Sequence, residues 1–242
     1  MTNQGELSEL AIGPDITGLS VVVPCFNEAE NVESCYQEII SDLAHYDLEL
    51  LFVDDGSSDA TLEVIKALAC VDPRVRYLSF TRNFGFEAAF SAGYRYAGRD
   101  WILHLDADQQ FPAAEADKLI AAARAGNDAV FGVRTNRADP LARRWGTAAF
   151  HFLGRNVLGI EIPKGATAFR LVRTSLAQAI VDIRMGTPYF LATVPRLTSR
   201  YTTVPVAHRA RARGESKVSM RWLTKHAIEL FVGFTTRLAT LA

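Results

Sequence analysis

Five short, β-branched apolar runs recur through the first 133 residues, each followed by turn residues and then by a segment with helical spacing. The runs are Leu19 to Val23, Leu48 to Val53, Val75 to Phe80, Trp101 to Leu105 and Ala129 to Val133. Between them, Ala29 to Leu43, Ala60 to Cys70, Glu87 to Ala97 and Pro112 to Ala125 are helix-compatible and Ala-rich. Strands separated by helices cannot pair as hairpins; they lie parallel, with helices covering the sheet. The spacing therefore predicts an α/β fold with a doubly wound layer. Its helix starts are marked: Asn27-Glu28-Ala29-Glu30 fits a capping box, Asp59 is placed to cap the second helix, and Pro112 falls where a first-turn proline is tolerated. A chain of 242 residues suits one large domain, here 1–216 with halves at 1–133 and 134–216, followed by a terminal helix at 217–242.

Ligands of such sheets bind outside the carboxyl ends of the strands. Pro24 to Glu28, Asp54 to Asp59, Thr81 to Gly85 and Asp106 to Gln110 all fall there, so four loops converge on one crevice. Asp106-Ala107-Asp108 is the most telling of them. On an extended strand, residues i and i+2 share a face, and two carboxylates on one face repel unless a cation lies between them. Gln110 adds a third oxygen in the same register. Hard oxygen donors of this kind suit Mg2+ or Mn2+. Taken alone, the triplet also reads as a solvated acidic loop. Pro24 to Glu28 ends a strand at a helix N-terminus, where free N–H groups favour a polar or anionic ligand. The carboxylate of Glu28 there suits a base or ribose better than a phosphate. Asp54 and Asp55, before a Gly-Ser turn, offer similar acceptors, although ordinary turn chemistry accounts for each loop singly.

Charge is polarised along the chain. Residues 1–60 carry thirteen Asp or Glu and no Lys or Arg, whereas Arg196 to Lys225 holds eight Lys or Arg against Glu215. Nucleic acid, anionic lipid headgroups or a phosphorylated substrate would each be attracted to such a segment, and a solvated basic face accounts for it equally. It lacks a recognisable nucleic-acid recognition motif, which argues against nucleic acid as a partner. From Lys217 to about Leu241, Trp222, Leu223, Ile228, Leu230, Phe231 and Phe234 alternate with Arg221, Lys225 and Arg237. That pattern fits an amphipathic helix lying on a membrane surface, or one packed on a core. No apolar run reaches the roughly 18 to 20 residues that span a bilayer. Met1 to Thr17 is acidic and lacks the features of a signal peptide. Cys25, Cys35 and Cys70 are too few and scattered for a disulfide frame or zinc site, so a reducing, cytoplasmic setting is expected. His45, His151 and His226 have no ligand spacing. His104 reads as a packed, hydrogen-bonded core histidine, and Cys25 as inert packing.

Seven segments in order, VVVPCFNEAENV, FVDDGSSDAT, TRNFGFEAAFSAGY, LHLDADQQFP, GVR, GATAFRL and HRARARGESKVS, resemble the family-2 glycosyltransferases of the GT-A fold. They resemble most the polyprenyl-phosphate, dolichol-phosphate-mannose-synthase-like branch, over roughly residues 19–238. The resemblance implies a three-layer GT-A sandwich with a mostly parallel sheet, residues 1–133 being the nucleotide-sugar half and 134–216 the acceptor half. It implies that Pro24, Phe26, Asn27, Glu28 and Asp55 hold the nucleotide, and that Asp106, Asp108 and Gln110 hold the metal. It also implies that Arg211, Ser216 and Lys217, in the element starting at His208, clamp the donor phosphates, with Gly214 at the turn. Asp106, Asp108 and Arg211 are then the catalytic set: charge develops on the departing nucleoside diphosphate, and fixed cations stabilise it.

The acceptor is indicated by an absence. Between Glu161 and Asp182 there is no acidic residue, and the region where many relatives of the wider family place a base reads Lys164-Gly165-Ala166-Thr167-Ala168-Phe169-Arg170. A hydroxyl acceptor needs a positioned base, whereas a lipid phosphate is already ionised and needs cations to position it. Arg134, Arg143 and Thr147 match positions that engage acceptor phosphate in the polyprenyl branch. The resemblance thus implies an inverting transfer of a hexose from a GDP- or UDP-sugar to a polyprenyl phosphate, by an enzyme peripheral to the inner face of the cell membrane. Transfer to a soluble hydroxyl, or a non-catalytic nucleotide-sugar-binding module, are the alternatives. The chain departs from close relatives at Ala168, at Val218 and at Gln110-Phe111-Pro112-Ala113, which bears on donor sugar and acceptor.

Overall fold

The computed structural model describes residues 15–135, 162–183 and 190–209. All five expected strands form, as β1 Gly18–Cys25, β2 Asp47–Asp54, β3 Val75–Ser79, β4 Trp101–His104 and β5 Ala129–Arg134. The helices between them are α1 Ala29–Asp42, α2 Thr61–Val71, α3 Phe86–Tyr96 and α4 Ala116–Arg124, the last entered through a 3-10 turn at Ala113–Glu115. Beyond them lie β6 Ala166–Arg173, α5 Thr174–Asp182, α6 Phe190–Leu197 and β7 Tyr201–Val206.

One seven-stranded sheet results, in the order β3-β2-β1-β4-β6-β5-β7. Every pairing is parallel except those of β6, which runs antiparallel to β4 and β5. The chain steps outward from β1 to β3 and returns to place β4 on the other side of β1, so the crevice expected of such a switch lies between β1 and β4. Because β6 is reversed, its first residues lie at the same sheet edge as the last residues of β4 and β5.

Alternation along the strands feeds two cores. Leu19, Val21 and Val23 of β1 pack with Val32, Cys35 and Ile39 of α1 and with Leu119 and Ile120 of α4. Val22, with Val53 and Ile102, faces the opposite side and packs against Phe90 and Tyr94 of α3, Ile180 of α5 and Phe190 of α6. Gly93 is what lets α3 approach so closely: a Cβ there would lie 2.4 Å from Cγ1 of Val22.

The capping box does not form. Glu28 occupies the N-cap of α1 without a side-chain cap hydrogen bond. Asn27, in the left-handed region at φ 53°, instead turns its amide Oδ1 toward the next loop, where it accepts from Ser58 N at 2.8 Å. The start of α1 is held from outside: Ala29 N donates to Asp59 Oδ2 at 3.3 Å, and Glu28 N to Thr61 Oγ1 at 2.8 Å. The N-cap of α2 is Ala60 rather than the expected Asp59, which stands one residue earlier and accepts from Thr61 N at 3.0 Å. One carboxylate therefore ties both helix starts together. Burial alone would raise the pKa of Asp59, and the donors from Thr61 and Ala29 bring it below the ordinary value.

Candidate active site

The turn after β4 is built differently from the extended geometry expected of it. The strand ends at His104, and Asp106 to Gln109 form a turn closed by Gln109 N donating to Asp106 O at 3.3 Å. Strand alternation therefore does not align Asp106, Asp108 and Gln110; the turn carries them. Asp108 is buried and accepts from Gln110 N at 3.2 Å, while the side chain of Asp106 is about one-third exposed. Gln109 pays the conformational cost, standing at φ 54°.

A polar stripe on α1 holds this turn. Ser34, Glu38 and Asp42 are four residues apart and share one helix face. Ser34 Oγ donates to Gln109 Oε1 at 2.8 Å, Gln109 Nε2 to Glu38 Oε2 at 2.8 Å, Ala113 N to Glu38 Oε1 at 3.0 Å, and Ala114 N to Asp42 Oδ2 at 3.2 Å. These residues were not singled out by the sequence, although their i, i+4, i+8 spacing was visible there.

The segment leaving β7 closes over the same turn. Arg209 N donates to Gln110 O at 2.8 Å, its guanidinium reaches Glu38 at 3.1 Å, and His208 Nε2 lies 3.2 Å from Gln110 Oε1. His208, which the sequence offered only as the start of a basic element, thus stands beside an expected metal ligand. Its pKa is lowered, first by burial and then by Arg134. The guanidinium of Arg134, on the exposed end of β5, lies 5.7 Å from the ring centre of Phe111, which stacks on Phe169 of β6 at 5.3 Å. The first residues of β6, which hold no carboxylate, therefore border the Asp106–Gln110 turn.

Across the crevice, Pro24, Phe26, Asn27 and Glu28 line the end of β1, all partly buried. Glu28 Oε2 accepts from Asn31 Nδ2 at 2.6 Å. Asp55 is directed into the third loop: its carboxylate accepts from Asn83 Nδ2 at 3.0 Å, Phe84 N at 2.7 Å and Gly85 N at 2.9 Å. Burial raises its pKa despite those donors. Gly56 brings the two loops together, at φ 66° and with no room for a side chain, since a Cβ would lie 2.3 Å from the carbonyl carbon of Arg82. The structure thus gathers Pro24, Phe26, Asn27, Glu28, Asp55, Asp106, Asp108, Gln110 and Arg134 at one sheet edge. Arg143, Thr147, Arg211, Ser216, Lys217 and the helix at 217–242 lie outside the described residues.

The donor set fits a hard divalent cation. Two carboxylates and a carboxamide oxygen share the turn, and among the described residues no group of three or more His, Cys, Asp and Glu is placed to hold a metal ion, so the turn would supply at most two carboxylates. A Mg2+ or Mn2+ ion held by few protein oxygens completes its shell with water and substrate phosphates. Cys25 and Cys35, buried below the loops, are free thiols, with burial raising the pKa of each. Among the described residues no helix is long and apolar enough to cross a membrane.

Comparison with known proteins identifies the family and the fold. Residues 20–181 match the model of Glycosyl transferase family 2. An uncharacterized glycosyltransferase of Bacillus subtilis is 30% identical over 92% of this chain and 70% of its own length. A prophage bactoprenol glucosyl transferase homolog of Escherichia coli is 32% identical over 90% of this chain and 72% of its own. An undecaprenyl-phosphate 4-deoxy-4-formamido-L-arabinose transferase of Pseudomonas fluorescens is 31% identical over 90% of this chain and 65% of its own. Among solved structures, glucosyl-3-phosphoglycerate synthase of Mycobacterium tuberculosis, in complex with Mn2+ and UDP, superposes with a TM-score of 0.64 at 20% identity, covering 90% of this chain and 80% of that one. A mannosyltransferase of Pyrobaculum calidifontis, in complex with GDP-Man and Mn2+, gives 0.60 at 20% identity, covering 88% and 61%.

Proposed function

The chain belongs to glycosyltransferase family 2 and is a glycosyltransferase, and on that premise we propose that it moves a hexose from a nucleoside diphosphate sugar to a polyprenyl phosphate, with inversion and with Mg2+ or Mn2+. The carrying observation is a juxtaposition at one sheet edge: the Asp106–Gln110 turn beside a β6 start that offers no carboxylate, with Arg134 next to both. Relatives named as bactoprenol glucosyl transferases and as an undecaprenyl-phosphate sugar transferase support a polyprenyl phosphate acceptor. Structural neighbours solved with Mn2+ and with UDP or GDP-Man support the donor class and the metal.

The residues divide the work. Pro24, Phe26, Asn27, Glu28 and Asp55 bind base and ribose. Asp106, Asp108 and Gln110 hold the divalent cation, which when bound neutralises charge on the diphosphate. Arg211, Ser216 and Lys217 clamp the donor phosphates. Arg134, Arg143 and Thr147 orient the acceptor phosphate so that one of its oxygens faces the sugar C1. The oxygen–C1 bond forms as the C1–oxygen bond to the diphosphate breaks, and the electron pair leaves with the nucleotide. No proton need be removed from an ionised phosphate, so the site works without a base. The amphipathic segment at 217–242 holds the enzyme on the cytoplasmic membrane face.

A radiolabelled-sugar assay with undecaprenyl phosphate, a panel of UDP- and GDP-hexoses and Mn2+ or Mg2+ tests this. Label is expected in the organic phase with one donor and to disappear with EDTA. Transfer to a soluble hydroxyl without lipid product would reverse the acceptor, and nucleotide binding without any transfer would make the chain a binding module.

A further inference from the structure

Behind the Asp106 turn lies a polar chain that the reaction outlined above does not use. His104, the last residue of β4, pairs in antiparallel register with Arg170 of β6. Both are buried, His104 completely and Arg170 to 3% exposure. The imidazole meets Phe86, Phe90 and Tyr94 edge to face at 5.3, 5.8 and 5.9 Å. The guanidinium lies over Phe190 at 4.3 Å and Phe90 at 4.8 Å, and among the described residues it has no carboxylate partner. A buried cation in such a box must discharge its field through whatever polar groups it touches.

Those groups have a fixed polarity. Arg170 Nε lies 2.6 Å from Tyr94 Oη, and a guanidinium only donates, so the phenol oxygen accepts. The single Tyr94 proton is left to point at His104 Nδ1, 2.9 Å away. Arg170 Nη2, 3.4 Å from the same nitrogen, is a second donor toward it. Nδ1 is therefore an acceptor, and a neutral ring must carry its hydrogen on Nε2. Nε2 is buried with no hydrogen-bond partner among the described residues, and it faces Asp106 Oδ1 at 3.6 Å.

We propose that Arg170, Tyr94 and His104 form a one-way chain of donors that ends on Asp106 and sets the orientation in which this carboxylate meets the divalent cation. They are positioning residues. The chain rests on the reading of Asp106 as a metal ligand. At 3.6 Å the last contact is longer than a hydrogen bond, and a shift of about 0.6 Å by the Asp106 side chain would close it. Donors that orient metal-ligating groups typically change metal affinity by about 10- to 100-fold when removed.

Two measurements test this. In protein labelled with 15N-histidine, long-range proton–nitrogen correlation at pH 7 is expected to find His104 protonated on Nε2 alone. Protonation on Nδ1, or on both nitrogens, would overturn the proposal. Mn2+ binding is followed by electron paramagnetic resonance of the free ion, with UDP and with GDP. Tyr94→Phe, which keeps the ring but loses the hydroxyl, is expected to weaken it about 10-fold, and His104→Asn to weaken it as much. His104→Gln, whose amide nitrogen reaches the position of Nε2, is expected to retain more affinity than His104→Asn. Equal affinity in the parent, Tyr94→Phe and His104→Asn, with Asp108→Ala losing Mn2+, would overturn the chain and leave the metal reading standing. Unchanged Mn2+ binding in Asp108→Ala would overturn the metal reading, and this proposal with it.

Discussion

The two edges of the sheet handle buried carboxylates in opposite ways. At the amino ends of the strands, acids are matched with arginine. Glu49 of β2 pairs with Arg76 and accepts from Ser20 Oγ at 2.5 Å and Gly98 N at 2.6 Å. Asp128, just before β5, accepts from Arg200 at 2.9 and 3.0 Å and from Arg173 at 3.3 Å. Asp72, ahead of β3, binds Arg74 at 2.7 Å. At the carboxyl ends, Asp54 and Asp55 are held by neutral donors: Ser57 N and Ser79 Oγ for the first, Asn83 and two backbone N–H groups for the second. Asp106 faces Nε2 of His104, an imidazole whose pKa is lowered first by burial and then by Arg170. Arginine at the first edge neutralises charge and fixes the fold. Neutral donors at the second orient carboxylates while leaving their charge for a ligand. Under the proposed function, one edge then serves stability and the other binding.

Substitutions at the two edges should therefore separate. The largest effect is expected of Asp108→Ala, which should lower sugar transfer by about 1,000-fold or more while the melting temperature stays near that of the parent. A large loss of stability would break the contrast. Next, Glu49→Ala should cost about 2 to 3 kcal/mol in urea denaturation, because it strands Ser20, Gly98 and Arg76, and should leave the specific activity of folded protein intact. Gly56→Ala sharpens the boundary, since it lies at the binding edge yet carries strain. It should cost about 1 to 2 kcal/mol and also weaken nucleotide binding, by pushing the Asp55 and Arg82 loops apart.

The smallest effect is one of pH. Hydrogen bonds and Arg76 outweigh burial and hold Glu49 below its ordinary pKa, and Asp128 is lowered in the same way by Arg200, Thr198 and Arg173. Groups with a depressed folded pKa add stability above their unfolded value and lose it as pH falls through the folded one. Acid unfolding of the parent should thus begin below about pH 4.5, and Glu49→Ala should flatten that slope. An unchanged slope would remove Glu49 from the amino-edge account.

The sequence was most legible where structure is local. The five apolar runs marked β1 to β5 to within about two residues because a buried parallel strand reads as a continuous β-branched run. The reversed strand β6 was not read, since Arg170 and Arg173 interrupt its apolar character, and only packing on Phe90, Tyr94 and Trp101 explains them. At the site, the convergence of four loops was legible from strand ends alone. Three details were not: the turn that replaces extended geometry after His104, the α1 stripe that holds it, and the capping of α1 by Asp59. The last two depend on partners roughly 30 or more residues away, which no window of sequence contains, and the turn, though closed locally, rests on the left-handed conformation of Gln109, a non-glycine residue.

A thermal-shift panel of UDP, GDP, TDP and CDP with and without Mn2+, on the parent and on the Asp106→Ala, Asp108→Ala double variant, tests the binding edge most directly. One nucleotide is expected to raise the parent's melting temperature clearly, only with metal, and to do nothing to the double variant. Shifts that ignore metal and persist in the double variant, or no shift with any nucleotide, would contradict a metal-assisted nucleotide-sugar site at the carboxyl ends of the strands.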